Sequence, residues 1–315
     1  MSMKKNELKN MLVSFIFSMV IYGVMMFMMS SGVIGTYWSG VLILACINII
    51  LASSLNLASG YLGQLTLGHA GFMSVGAYVA ALTSLYLQMP LFVGLIFGAI
   101  VAAGVGLIIG IPTLRLKGDY LCIITLAFNE IIRIIMLNLD ITNGAKGLMG
   151  IPPDTNFTIV FICVVLTIFI ISSVVKSRFG RAIISIREDE TASELTGIPT
   201  SKYKIMAFVI SAFFAGLAGG LYAHYMGMLL PSIFDYNKSV EILVMVVLGG
   251  MGNIKGSIIA ALLLTILPEY LRAFNDYRML LYAVVLIAAM ILKEKDLIPH
   301  IKEKFSKKKN EEVTE

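Results

Sequence analysis

Three groups of residues carry types and spacings that could do chemistry. Asn129, Glu130 and Arg133 lie inside an otherwise apolar run at 120–139. Glu130 is 11 residues past Asp119, about 16 Å along a helix axis and therefore near mid-membrane if the run spans a bilayer. A charge at that depth costs at least about 2.5–3.5 kcal/mol. Residues three apart share a helix face, so Glu130 and Arg133 can pair. The pair serves either as polar lining for a translocation path or as a clasp between helices, and the two roles are compatible. The second group is Arg187, Glu188, Asp189, Glu190 and Glu194, followed by Gly197 and Pro199, in the only long hydrophilic loop (176–204). The third is Gly60, Gly63, Gln64, Gly68, His69 and Gly71, where four glycines in twelve residues are too many for an ordinary helix interior. This stretch is either a plain turn or an unwound element lining a path with Gly63, Gln64 and His69.

Catalytic chemistry has no comparable footing. The sequence holds no nucleophile–His pair, no HExxH and no carboxylates at metal spacing. It also lacks G-x-x-x-x-G-K-[ST], the loop that cradles nucleotide phosphates. Cys46, Cys122 and Cys163 each sit in an apolar run and read as small buried hydrophobes. His69 and His224 lie near the ends of apolar runs and read as interfacial hydrogen-bonding groups. No metal or cofactor is expected on this chain.

The elements that must position these groups are membrane helices. Of 315 residues 58% are apolar and only 14% charged, against about 25% charged in a soluble domain. Mean hydropathy is +0.89. Too little of the chain prefers water for a soluble globule or a disordered chain. About 20 apolar residues cross a bilayer core. Runs of that kind occupy 11–29, 38–57, 69–87, 91–111, 120–139, 157–175 and 205–226, with two more at 239–271 and 279–292. The first is too long for a signal-peptide core and no A-x-A site follows it, so it reads as an uncleaved span.

Lys and Arg set the direction. With the N-terminus inside, the inner segments hold Lys4, Lys5 and Lys9, then Arg115 and Lys117, then Lys176, Arg178, Arg181, Arg187, Lys202 and Lys204. The outer loops up to Lys238 hold only Lys146 and Lys238. The net charge of +5 is thus a topology signal, not a nucleic-acid signal. The tail 293–315 is basic and belongs inside as a disordered cytoplasmic segment. Parity then requires 239–271 to cross twice, and Gly249-Gly250-Met251-Gly252-Asn253 marks the tip of a hairpin whose short first half is tilted or partly re-entrant. The expectation is an all-α polytopic bundle in one transmembrane domain (1–292), with about ten crossings and both ends cytoplasmic. Eight or nine crossings are the alternative. Gly71, Gly76, Ala77, Ala80 and Ala81, and later Gly216, Ala218, Gly219 and Gly220, read as small-residue packing faces.

In the hydrophilic loop, Ser185 with Glu188 fits a capping box, acidic residues fill the first turn, and Gly197 and Pro199 stop the helix. A short helix over about 187–196 is expected. It suits either a solvated connection or docking of a cytoplasmic partner.

Taken together, these residues resemble a known family. Gly60-Tyr-Leu-Gly-Gln with Gly68-His-Ala-Gly-Phe, Leu114-Arg-Leu-Lys-Gly-Asp-Tyr with Ala127-Phe-Asn-Glu, Thr142-Asn-Gly-Ala-Lys-Gly, Ser177-Arg-Phe-Gly-Arg-Ala with Arg187-Glu-Asp-Glu, and Leu248-Gly-Gly-Met-Gly-Asn follow the order seen in permeases of branched-chain amino acid ABC importers, in the M-type of the two paired permeases. Asn143 departs from the pattern, standing where a second glycine or small residue is usual. The resemblance implies a plasma-membrane transport subunit with a homologous permease partner, two ATPase subunits using ATP and Mg, and an extracytoplasmic substrate-binding protein. It implies that Arg187, Glu188, Asp189, Glu190, Glu194 and Gly197 form the ATPase-coupling helix. A urea or amide importer and a stand-alone secondary transporter are the alternatives.

Overall fold

The computed structural model describes residues 19–32, 35–113, 116, 118–272 and 277–294. Lys4, Lys5, Lys9, Arg115, Lys117 and the tail beyond 294 lie outside the described residues. Helices make up nearly all of the rest. They are α1 (Met19–Ser30), α2 (Thr36–Leu55), α3 (His69–Tyr86), α4 (Leu91–Thr113), α5 (Asp119–Asn138) and α6 (Phe157–Lys176). Two short helices, α7 (Arg178–Glu188) and α8 (Glu190–Leu195), precede α9 (Thr200–Met226), α10 (Tyr236–Gly249), α11 (Ile254–Tyr270) and α12 (Arg278–Glu294). Five helical stretches among the described residues are long and apolar enough to cross a membrane: Thr36–Tyr61, Leu91–Thr113, Asp119–Asn138, Phe157–Lys176 and Thr200–Met226. The protein is an all-α multi-pass membrane protein. Its strands among the described residues are two-residue pieces, Leu148–Met149 and Met228–Leu229, paired antiparallel between the α5–α6 and α9–α10 connections.

Burial ranks the helices. α2 with its continuation is 89% buried across its apolar window, and α5 only 22%. A helix apolar on all sides belongs at the centre, and α2 is that helix. Phe92, Ile96 and Ile100 on α4, Ile123 and Ile134 on α5, and Leu166 and Phe169 on α6 are exposed, as lipid-facing side chains should be.

α3, α4 and α9 pack most closely, and their small residues explain how. A Cβ added to Gly76 would overlap the backbone of Gly216; one on Gly98 would stand 2.6 Å from the Gly76 carbonyl oxygen, and one on Gly219 would strike the Met73 carbonyl. The two small-residue faces read from the sequence therefore meet each other. Without a hydrophobic drive between helices in lipid, close backbone approach is what holds such a contact.

The expected hairpin is present. α10 and α11 join through 250–253, where Gly250 (φ +98°) and Gly252 (φ +80°) take the left-handed backbone that favours glycine. Gly249 and Gly256 face each other so closely that a Cβ on either would overlap the other's backbone. With 14 residues, α10 is about 21 Å long, shorter than a bilayer core. Its start lies within the bundle, since the Ala70 amide at the start of α3 donates to Ser239 Oγ at 3.0 Å. The first arm of the hairpin is thus a half-helix, reached through a short 3₁₀ turn at Pro231–Phe234. A boundary between two compact units falls inside α11, between Leu262 and Leu263, with α12 in the second unit. Asn143 takes the left-handed region (φ +57°), which Asn tolerates best after glycine, so the departure at this position keeps the turn.

Gly76→Val is expected to destabilise the bundle by about 3 kcal/mol, because the added atoms meet backbone that cannot swing away. The check is the thermal midpoint and monodispersity of the detergent-purified protein, with Gly104→Val, whose Cβ meets nothing within 4 Å, as the tolerated control.

Candidate functional site: a hydrophilic loop seated on two helix breaks

The hydrophilic loop is built differently from the single capped helix over 187–196. α7 begins at Ser177, whose Oγ accepts from the Phe179 and Gly180 amides at 3.1 and 3.4 Å. It buries Gly180, Ile183 and Ile186 at i, i+3 and i+6. That apolar stripe carries the helix through Ser185, whose Oγ donates to the Ala182 carbonyl instead of capping. The break comes at Asp189, which is extended and caps α8 by accepting from the Ala192 amide at 3.0 Å. Aspartate caps at least as well as serine, and only Asp189 stands at the end of the buried stripe. Gly197 (φ +84°) closes α8 as expected, and Pro199 sits directly before α9.

The carboxylates divide into two sets. Glu190 pairs with Lys204 on α9, whose side chain is 4% exposed, and Glu194 accepts from the Thr200 hydroxyl at 2.7 Å. Both are spent inside the chain, tying α8 to the base of α9. Glu188 and Asp189 remain on the surface. Among the large hydrophobic side chains described, the most exposed is Leu195, at 85%, a residue the sequence did not single out.

Arg187 is the joint between loop and bundle. Its Nη1 donates to the Gly60 carbonyl at 3.1 Å, while Nε and Nη2 hold Glu188. Gly60 lies in a wide π turn, Asn56–Tyr61, that ends α2. A Cβ on Gly63 would stand 2.6 Å from Arg187 Cγ, and one on Gly252 2.9 Å from Arg187 Nη1. Three glycines from two helix breaks thus cradle one arginine. Asn56, fully buried, binds the breaks to each other: its Oδ1 accepts from the Gly252 amide at 2.8 Å and its Nδ2 donates to Ser257 Oγ at 3.0 Å. The hairpin tip, the end of α2 and the hydrophilic loop therefore share one side of the protein. Gly63, expected with the pathway group, belongs with Arg187.

The remaining pathway candidates lie deeper. His69 and His224 are buried among helices, 2% and 0% exposed. His69 Nε2 pairs with Ser54 Oγ at 2.8 Å and His224 Nε2 with Ser84 Oγ at 2.7 Å, each joining two helices. Asn129 is buried against Gly71 of α3 and donates to the Phe234 carbonyl at 3.3 Å. Arg133 Nε donates to Glu130 Oε2 at 2.7 Å, both side chains partly exposed. Gln64 Oε1, Asn129 Oδ1 and Glu130 Oε1 are buried without a hydrogen-bond partner. Lys238, assigned above to an outer loop, stands instead in the first turn of α10, with Nζ 3.4 Å from Asn48 Oδ1 of α2 and 3.0 Å from Glu241. Asn48 and Asn56 were detectable as two amides in an apolar run of twenty residues; Lys238 and Glu241 were not, because nothing in the sequence locates the start of α10.

Residues 37–290 match the family described as the permease component of the branched-chain amino acid transport system. The chain belongs to this permease family. It is 37% identical over 291 residues to the high-affinity branched-chain amino acid transport system permease protein LivM of Escherichia coli K12, covering 81% of this chain and 68% of that protein. A probable LivM of Methanocaldococcus jannaschii is 26% identical over 274 residues, covering 72% of this chain and 79% of the relative. LivH of E. coli K12 is 31% identical over 118 residues, about 37% of this chain and 38% of that protein. No solved structure matches the chain.

In this permease, Glu190→Gln removes the carboxylate from a buried ammonium. Because Glu190 is itself partly exposed, the expected cost is about 2 kcal/mol, below the value for a fully buried pair. Faster proteolysis of the 177–199 segment at native temperature is the readout, with unchanged cleavage elsewhere.

Proposed function

We propose that this permease is the translocating subunit of an ATP-driven importer of branched-chain amino acids, with a second, homologous permease beside it, two ATPase subunits beneath and an extracytoplasmic binding protein delivering substrate. The substrate class rests on the family and on the names of its relatives LivM and LivH. The chain carries no phosphate-cradling loop in its sequence, so ATP and Mg belong to the partner subunits. It has no catalytic role of its own in this reading.

The observation that carries the mechanism is the seat of Arg187. A loop that merely joined two spans would not insert a guanidinium between two helix breaks. Here the end of α7 holds the Gly60 carbonyl and abuts Gly252, so displacement of α7–α8 by a cytoplasmic subunit moves the end of α2 and the hairpin tip together. Both are irregular segments, which absorb backbone change more readily than packed helices. Alternating access follows if ATP binding and the loaded binding protein favour different positions of this joint. Leu195, exposed at the end of α8, is the apolar anchor offered to the ATPase.

Leu195→Asp is expected to weaken capture of the ATPase subunits by at least about tenfold, in line with loss of an apolar anchor, and to reduce ATP-driven leucine uptake in proteoliposomes. Thermal stability of the permease should not change. Normal uptake by this variant, or full-speed leucine transport by the permease alone without ATPase, would overturn the proposal.

A further inference from the structure

We propose that Lys238, Glu241 and Asn48 form a transit site for the charged end of the amino acid, an inference that rests on the transport function above. Depth is the first argument. Asn48 is 12 residues into α2, counting from Thr36, about 18 Å along its axis and midway through the stretch that ends at Tyr61. Lys238 Nζ lies 3.4 Å from Asn48 Oδ1, so the ammonium is held at mid-depth of the central span. It reaches that level because α10 is a half-helix that starts inside the bundle.

Exposure is the second argument. The Lys238 side chain is 17% exposed and that of Glu241 40%, and Tyr236 and Val240 beside them are also open. A charged pair open to one side at this depth cannot face lipid tails without heavy penalty. That side faces water or the partner permease across a shared path.

Chemistry names the occupant. The site presents one cation, one anion and an amide oxygen, joined across two helices. An amino acid presents one carboxylate and one ammonium. Lys238 takes the carboxylate while Glu241 and Asn48 Oδ1 take the ammonium, so one ion pair is exchanged for two and every charge stays compensated. The exchange makes a weak site that releases as readily as it binds, as a transit site must. Tyr236 and Val240 supply the apolar flank for the aliphatic side chain.

The test uses the complete transporter with its partner subunits. Val240→Cys should react with a cationic methanethiosulfonate reagent above the background of the parent chain, and excess leucine should slow that reaction severalfold. An unreactive Val240→Cys overturns the site. In parallel, the neutral pair K238M/E241Q should lower ATP-driven leucine uptake by at least about tenfold while the ATPase subunits still co-purify. A purely structural ion pair tolerates this replacement, so near-normal uptake by the assembled double variant also overturns the proposal. Should the double variant fail to assemble, the cysteine result decides. Failure of the transport function itself would look different: the unsubstituted transporter would take up no leucine with ATP, and the site would fall with it.

Discussion

A backbone carbonyl or amide in hydrocarbon must find a partner, because water is not there to supply one. That constraint governs this permease wherever a helix stops short. α2 loosens into a π turn at Asn56–Tyr61, and α10 turns back at Gly250 and Gly252. Each break frees polar backbone, and each is answered by a side chain from elsewhere: Asn56 accepts the Gly252 amide and Arg187 donates to the Gly60 carbonyl. The groups that satisfy the breaks are also the groups that join the breaks to each other and to the hydrophilic loop.

Glycine makes the arrangement possible in two distinct ways. At Gly63 and Gly252 the backbone is left-handed and the missing Cβ leaves room for the Arg187 stem and guanidinium. Within α3, α4 and α9 the glycines are ordinary helical residues, and their value is proximity alone. The first set makes room for the Arg187 seat; the second lets three helices pack closely.

Much of this was legible in the sequence because hydropathy and charge asymmetry respond to the bilayer directly. The helix break at 249–253, the pairing of Glu130 with Arg133, and the special status of 187–197 followed from short-range spacing. What stayed hidden depended on long-range contact. The sequence favoured Ser185 as a cap, since Ser and Glu three apart form a box, but burial of Ile183 and Ile186 extends α7 past it and Asp189 takes the role. Glu190 and Glu194 were placed in a short capped helix, and only the fold supplies their partners, Lys204 and Thr200. His69 and His224 read as hydrogen-bonding groups near span ends, and only the fold names their partners, Ser54 and Ser84.

The distribution of charge completes the physical picture. Among the described residues, Lys204 is the buried lysine that the hydrophilic loop holds paired. Lys238 with Glu241, and Arg133 with Glu130, are the pairs left partly open within or beside apolar spans. At the surface of an apolar span such pairs carry a cost that lipid tails do not offset. The fold is firm where α3, α4 and α9 meet, irregular where Arg187 joins the hydrophilic loop to two helix breaks, and charged at these two open pairs.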